Sequence, residues 1–426
     1  MTIGCARRIT RENGATDQMD GDRSVRDVLA IADAIVAPLM NAECIDLRNA
    51  SGRISAGQIR APRPMPFFSQ SAMDGFAVRT ADLAGHGPWR LPVAGTIAAG
   101  DRPDPIPGTE PAAMRIYTGA PVPGAFDAVV MMEHCRDDGD VVVVGIRPVP
   151  GENIRAKGSD IARDAVLVAA GIRIEPRHIG LLAANGYTSV NVFKRPRVGV
   201  FSTGSELLPN GATGAARIHD ANRPMLIALA NRAGADVVDL GIVDDDLAET
   251  ARFFRGIAGR FDLLISSGAA SIGARDFVGQ AFVEAGGTVH AWKVALKPGK
   301  PILLGTLDDR AYLGLPGNPL SAFVGFQLFG RRQISRLCGV DEPHGACGRA
   351  VAGFSLARES GRLEIIPARV VSWSKEGVPT IDIAENRSSG TLHALCQADG
   401  LAMIPAEQGS VRPGDVVEFV RFCSPR

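Results

Sequence analysis

Three carboxylates in this chain stand just past short apolar runs. Glu206 lies in FSTGSEL (Phe201–Leu207), Asp245 in VDDD (Val243–Asp246) and Asp276 in SSGAASIGARDF (Ser266–Phe277). Two further motifs share the pattern: WKVALKPGKP (Trp292–Pro301), with Lys293, Lys297 and Lys300, and GLPGNP (Gly314–Pro319), with Pro316, Gly317 and Asn318. In each, Gly or Pro makes a break beside a charged or amide side chain. The same combination occurs upstream in SQSAMDGFAVR (Ser69–Arg79), around Asp74. If the apolar runs are strands of an open parallel sheet, the loops that follow them line one crevice. A crevice rich in carboxylates and lysines suits an anionic, phosphate-bearing substrate and a metal. Mg²⁺ takes oxygen ligands and keeps waters that can bridge to phosphate, so Glu206, Asp245 and Asp276 are the candidate metal ligands.

Each motif also has a plainer reading. GLPGNP is either a capped strand-to-helix junction, with Asn318 at the N-cap and Pro319 at the first helical position, or an anion seat. In the second case amides at the helix start face the ligand and Gly317 lets it approach the backbone. The KPGKP lysines are either a solvated pair or a means of neutralising phosphate or an oxyanion such as molybdate. The small residues Ser267, Gly268, Ser271 and Gly273 let a ligand lie along the backbone, and Asp276 either serves that site or caps the next helix. One of Asp244, Asp245 and Asp246 is expected to cap a helix. Asp74 reads as an Asx-type turn.

The elements that must position these residues follow from pattern and length. At 426 residues the chain exceeds one ordinary core. Ser24–Val36 has helical spacing with Ser24 as cap. Residues 65–162 alternate strand and turn and read as an inserted β domain. The flanking pieces 24–64 and 163–195 form a mixed α/β N-terminal domain, with a helix beginning near Pro176. Residues 196–338 alternate strands and helices, the signature of a doubly wound parallel sheet covered on both faces. Residues 339–426 read as short antiparallel strands in a small β-barrel-like domain. Met1–Arg23 is polar, lacks an apolar stretch and reads as a disordered start rather than a signal peptide.

Composition excludes several classes. Lys+Arg and Asp+Glu are both 46, so no charge excess argues for nucleic acid or a membrane surface. The seven cysteines form no CxxC pair, which argues against a zinc site or disulfide framework and for a reducing cytoplasm. No apolar run reaches membrane-spanning length.

In this order the motifs SAMDGFAVR, TGAPVP (Thr118–Pro123), ENIRAKGSDI (Glu152–Ile161), FSTGSEL, HDANR (His219–Arg223), KPGKP and GLPGNP resemble the molybdopterin molybdenumtransferases, the molybdenum insertases related to the gephyrin E domain. The resemblance runs from about Ser24 to the C-terminus. It implies a molybdopterin-binding fold for the third domain and a homodimer whose active site is shared between subunits. It also implies a reaction in which adenylylated molybdopterin and molybdate yield the molybdenum cofactor and AMP, with Mg²⁺ or another divalent cation assisting. On it, Glu206, Asp245 and Asp276 hold the metal or orient the attacking oxygen, and Asp74 and Asp160 complete the site from the partner chain. Lys293 and Lys297 offset anionic charge. Thr118 and the Gly317–Pro319 turn contact the cofactor, and Arg362 and Ser389 match positions associated with molybdate. The implied partners are the molybdopterin adenylyltransferase and recipient molybdoenzymes.

The chain departs from the family pattern at Ala269, where a second Gly is usual, at Ala221 in place of Thr, and at Pro367 in place of an Arg. Arg387–Gly390 stands in place of a Gln-Gly-Ser-His segment. Two other functions are therefore weighed: a cofactor-binding paralogue that carries the pterin without turning it over, and a nucleotide pyrophosphatase on the same fold.

Overall fold

The computed structural model describes residues 22–102, 110–208, 211–214, 216–268, 277–340, 348–384, 390 and 392–422. The chain forms two compact units, one of residues 1–43, 52–54 and 192–426, the other of residues 44–51 and 55–191.

The first unit is built on a six-stranded sheet in the order Asp236–Val243, Arg197–Thr203, Leu263–Ser267, Arg310–Leu315, Pro301–Leu307, Thr288–Lys293. The first four strands are mutually parallel. Alternation along each strand feeds two cores, since successive side chains point to opposite faces. Val198, Val200, Leu263, Ile265, Leu313 and Leu315 face one; Phe201, Leu264, Leu303 and Tyr312 face the other. Where Phe261, Leu240 and Leu264 crowd the sheet, residue 199 is Gly, because a Cβ there would come within 2.7 Å of Leu240.

Helices cover both faces as expected. Leu247–Ile257 is started by Asp246, whose carboxylate accepts the Glu249 amide at 2.8 Å, and it buries Thr250, Ala251, Phe254 and Ile257 at helical spacing. Asn222–Ala233 buries Asn222, Leu226 and Ala230 and ends on Gly234 at φ 105°. The helical run after Pro319 is interrupted: Pro319–Gly325 and Arg331–Leu337 are α-helical, and Phe326–Gly330 between them is a π turn.

Two features depart from the sequence reading. The last two strand pairings of the sheet are antiparallel, with Leu303 opposite Gly314 and Lys293 opposite Pro301, so Pro301–Leu307 runs against its neighbours. The connections 294–300 and 308–309 are too short for a crossover helix, so the chain can only fold back. The helix Val25–Ala34, expected to join residues 163–195, instead buries Val28 and Ala32 in the core of the α/β sheet. Its spacing identifies an apolar face but not the surface that receives it. Residues 1–21 lie outside the described part; at Arg23 the backbone already bridges to Val294.

Residues 348–422 form a closed barrel in which Leu363–Trp373, Pro379–Ile383, Gly348–Ala352, Val416–Arg421 and Gly400–Ile404 pair in turn and the last returns to the first. A sixth strand, Leu296–Lys297, joins it from the lysine turn and pairs in parallel with Leu363 and Glu364.

In the second unit, six strands form a sheet in the order Ala128–Met131, Gly75–Val78, Ala113–Ile116, Trp89–Ile97, Val141–Val144, Cys135–Asp137. The helix Pro176–Ala184 begins with a capping box between Glu175 and His178. Among the described residues no helix is long and apolar enough to cross a membrane.

Candidate functional site

In the first unit, the carboxyl ends of the four parallel strands share one edge of the sheet. The antiparallel register brings the start of Pro301–Leu307 and the end of Thr288–Lys293 to that same edge. The five polar loops read from sequence therefore leave the sheet on one side.

At one end of this edge the chemistry is acidic. A cavity of about 700 Å³ is lined by Ser205, Asp244, Asp245, Asp246, Glu249, Arg252 and Phe277. Asp245 joins two loops, its Oδ2 accepting the Ser205 amide at 3.0 Å. Asp246 is the helix cap and Asp244 accepts the Thr250 hydroxyl on its carbonyl. Glu206 is exposed and folds back over Gly204, its carboxylate within 2.8 Å of where a Cβ on that glycine would stand. Asp276 lies outside the described residues. Among the described residues no three His, Cys, Asp or Glu side chains are grouped to hold a metal ion. Glu206 and Asp245 by themselves thus do not make a metal site.

In the middle of the edge the chemistry is that of bare backbone. Gly268 follows Ser267 at φ 91° and donates to the Leu315 carbonyl at 3.1 Å. A Cβ at Gly268 would lie 2.3 Å from the Thr203 carbonyl oxygen. Gly317 is exposed, and among the described residues a Cβ there would meet nothing nearer than the Gly268 Cα at 3.8 Å. Two glycine backbones thus lie side by side at the ends of adjacent strands. Asn318 occupies the N-cap position before Pro319, as the sequence reading expects, although its side chain makes no capping bond. Ser267 is buried, its hydroxyl 3.4 Å from the Pro316 carbonyl. Ser271 and Gly273 fall outside the described residues, as does Ala269.

The residue that ties this region together was not singled out from the sequence. Asn222, inside HDANR, donates to Ser267 Oγ and to the Gly317 carbonyl, both at 2.7 Å. Its neighbours fix it. Asp220, buried, accepts the Arg223 amide at 3.1 Å and the Arg223 guanidinium at 2.9 Å, and Arg223 also pairs with Asp239. Burial works against the Arg223 charge, yet its bonds to Asp239 and Asp220 hold its pKa above the ordinary arginine value. Asp220 does the capping that Ala221 cannot. The signal in sequence is the HDANR motif itself, in which the Asn stands directly after Ala221.

At the far end of the edge are the lysines. Lys297 is exposed yet paired: its Nζ lies 3.0 Å from Glu364, a 5 % exposed barrel residue whose other oxygen lies 3.1 Å from Arg358. Arg358 in turn donates to the carbonyls of Pro405, Gln408 and Arg362. Lys293 is half-buried at a strand end, its carbonyl taking the Arg23 amide at 3.2 Å. Lys300 pairs with Asp22 at 2.9 Å. Arg362 is exposed at the mouth of the barrel strand, Pro367 is buried within that strand, and Ser389 lies outside the described residues.

In the second unit, Asp74 is exposed and accepts the Thr118 amide at 2.7 Å and its hydroxyl at 2.8 Å. The SAMDG and TGAPVP motifs thus meet through one carboxylate. Those two bonds hold the Asp74 carboxyl below its ordinary value. Asp160 is exposed, its amide donating to the Met65 carbonyl.

Known families account for nearly all of the described chain. Residues 23–186 match the MoeA N-terminal region (domains I and II), residues 199–336 a probable molybdopterin binding domain, and residues 349–422 the MoeA C-terminal region (domain IV). A molybdopterin molybdenumtransferase of Haemophilus influenzae is 34% identical over 387 residues, which cover 89% of this chain and 94% of that one. The chain belongs to the molybdopterin molybdenumtransferase family. Molybdopterin molybdenumtransferase 2 of Mycobacterium tuberculosis is 36% identical over 393 residues, covering 89% and 96% of the two chains. A crystal structure of a molybdopterin biosynthesis protein of this family, from Pyrococcus horikosii, superposes with a TM-score of 0.79 at 27% identity, covering 95% of this chain and all of that one. Within the molybdopterin molybdenumtransferase fold, the Asn222 cluster and the Glu364–Arg358 pair are the parts of the strand-end edge that sequence reading passed over.

Proposed function

We propose that this chain is a molybdenum insertase acting in the cytoplasm. It takes adenylylated molybdopterin and molybdate, cleaves the pyrophosphate bond, releases AMP and leaves molybdenum on the dithiolene sulfurs. The observation that carries the reading is the pair of glycine backbones, Gly268 and Gly317, set side by side at the ends of adjacent parallel strands. A phosphate can approach such backbone closely; with the Gly268 amide held by the Leu315 carbonyl, it takes its amide hydrogen bonds from the Gly317–Asn318 turn.

In this reading the terminal phosphate of the pterin lies along Pro316–Pro319, with the uncommitted side chain of Asn318 beside it. Lys293 and Lys297 lower the cost of bringing anions together, Lys297 with its position set by Glu364. The acidic cavity around Asp245 lies farther along the same edge, Asp245 following a strand three positions from the one that leads into this turn, and there Glu206, Asp245 and Asp276 would together hold a divalent cation. Asp74, Thr118 and Asp160 come from a second copy of the chain in a homodimer, and Arg362 and Ser389 serve molybdate. The molybdopterin adenylyltransferase would supply the substrate, and molybdoenzymes would receive the product.

The test is molybdate-dependent AMP release from adenylylated molybdopterin with Mg²⁺, alongside Asp276→Asn and Asp74→Asn. Release that both substitutions abolish is expected. Tight pterin binding without AMP release would leave a carrier in place of an enzyme.

A further inference from the structure

We propose that Asn222 is the positioning residue of the phosphate seat. It sets the spacing of the Gly268 and Gly317 backbones and so governs affinity for the pterin phosphate. The inference rests on the insertase reading above and deepens it.

Asn222 is only 7% exposed and opens the helix Asn222–Ala233, an element separate from the two strands it bridges. One side-chain NH₂ group reaches Ser267, the last residue of one strand, and Gly317, two residues past the end of its neighbour. The orientation of the amide follows from chemistry. The Gly317 carbonyl can only accept, so the NH₂ must face it; the reverse orientation would set two acceptors 2.7 Å apart. That orientation leaves the Asn222 Oδ1 buried and without a partner. A buried unpartnered acceptor is destabilising and offsets part of what the two 2.7 Å hydrogen bonds contribute. The amide is thus placed for the positions of Ser267 and the Gly317 carbonyl rather than for its own full satisfaction.

The two bridged segments are not equally constrained. Gly268 is also hemmed in by Thr203, whose hydroxyl lies 3.5 Å from the Ser267 carbonyl. Gly317 is exposed, and among the described residues a Cβ there would meet only the Gly268 Cα, at an ordinary contact distance of 3.8 Å. Loss of Asn222 therefore releases Gly317 while leaving Gly268 in place. The helix start survives, because Asp220 and Arg223 build it.

The experiment compares the full chain with Asn222→Ala and Asn222→Ser, the second keeping a hydroxyl donor should the first fold poorly. Steady-state AMP release and calorimetric titration with adenylylated molybdopterin are measured on each. We expect KM and Kd for adenylylated molybdopterin to rise about tenfold in Asn222→Ala, the loss of roughly one well-placed hydrogen bond to a charged group. We expect the KM for molybdate to stay near wild type, the unfolding midpoint to fall modestly through the two lost hydrogen bonds, and Asn222→Ser to fall between. Unchanged pterin affinity in both variants overturns the proposal. So does a rise in both KM values, which marks a merely structural residue. If wild type releases no AMP, the insertase reading fails, and titration with molybdopterin decides the role of Asn222 by the same criterion.

Discussion

Replacing Gly268 by Ala should damage the fold, whereas the same change at Gly317 should not. At Gly268 the backbone sits at φ 91°, and an added methyl would stand 2.3 Å from the Thr203 carbonyl oxygen and 2.8 Å from its Oγ1. The left-handed conformation costs an L-residue about 1–2 kcal/mol. A carbon–oxygen contact needs roughly 3.3 Å, so one segment must move by about an ångström. Overpacking of that kind costs about 1–3 kcal/mol. Moving Gly268 also strains its 3.1 Å bond to Leu315. The sum is about 2–5 kcal/mol of destabilisation. At Gly317 the nearest atom among the described residues to an added methyl is 3.8 Å away, so the expected change is within about 0.5 kcal/mol. The assay is urea unfolding followed by Trp292 fluorescence in a Trp89→Phe, Trp373→Phe background. Trp292 stands in the α/β sheet, so one element is read in a chain that need not unfold in one step. A Gly268→Ala midpoint indistinguishable from wild type, or an equal loss in Gly317→Ala, would refute the reasoning.

Three further outcomes are expected. Glu364→Ala strands the Arg358 guanidinium, whose side chain is only 3% exposed, and should cost about 3 kcal/mol, less if its carbonyl bonds rearrange; chemical denaturation measures it. Asp74→Asn should lower stability by an amount that depends on pH. The Asp74 pKa is depressed in the fold, so its contribution is complete above the ordinary value of 3.8 and disappears as pH falls through the folded value; unfolding midpoints of the two proteins should converge only in acid. Burial, and then Asp137, push the Cys135 thiol up to about 11, so at pH 8 iodoacetamide should label exposed Cys44 and Cys396 well before Cys135, as peptide mass mapping would show.

Much of the α/β fold is written locally. Val198 and Val200 alternate with Gly199 and Phe201, and that alternation is enough to expect a strand buried on both sides. Asp246 beside Leu247 is enough to expect a cap. The site is less local. Lys297 finds its partner 67 residues later in Glu364, a lone acid in a barrel strand with no pattern around it. Asn222 matters only because two strand ends meet in front of it, which no spacing along the chain encodes. The helix Val25–Ala34 could be recognised by its periodicity, but several surfaces could have received it. Asn318 fits the N-cap by residue type, yet the bond depends on a side-chain rotation that sequence leaves open. Asp276, Ser271, Gly273 and Ser389 stand outside the described residues.

The short strand Leu296–Lys297 also constrains how this chain could have been assembled in evolution. A domain is easily shuffled when the cut falls in a linker with no partners of its own. Here the barrel and the α/β sheet share a seam: the hydrogen-bonding edge of Leu363–Glu364 is filled by the lysine turn itself. A recombinant that exchanged the barrel at residue 339 would inherit a foreign edge against Leu296 and a foreign side chain opposite Lys297. The two modules should therefore have diverged as a pair, and chimaeras between relatives should work best when the crossover is moved upstream, so that residues 294–300 travel with the barrel.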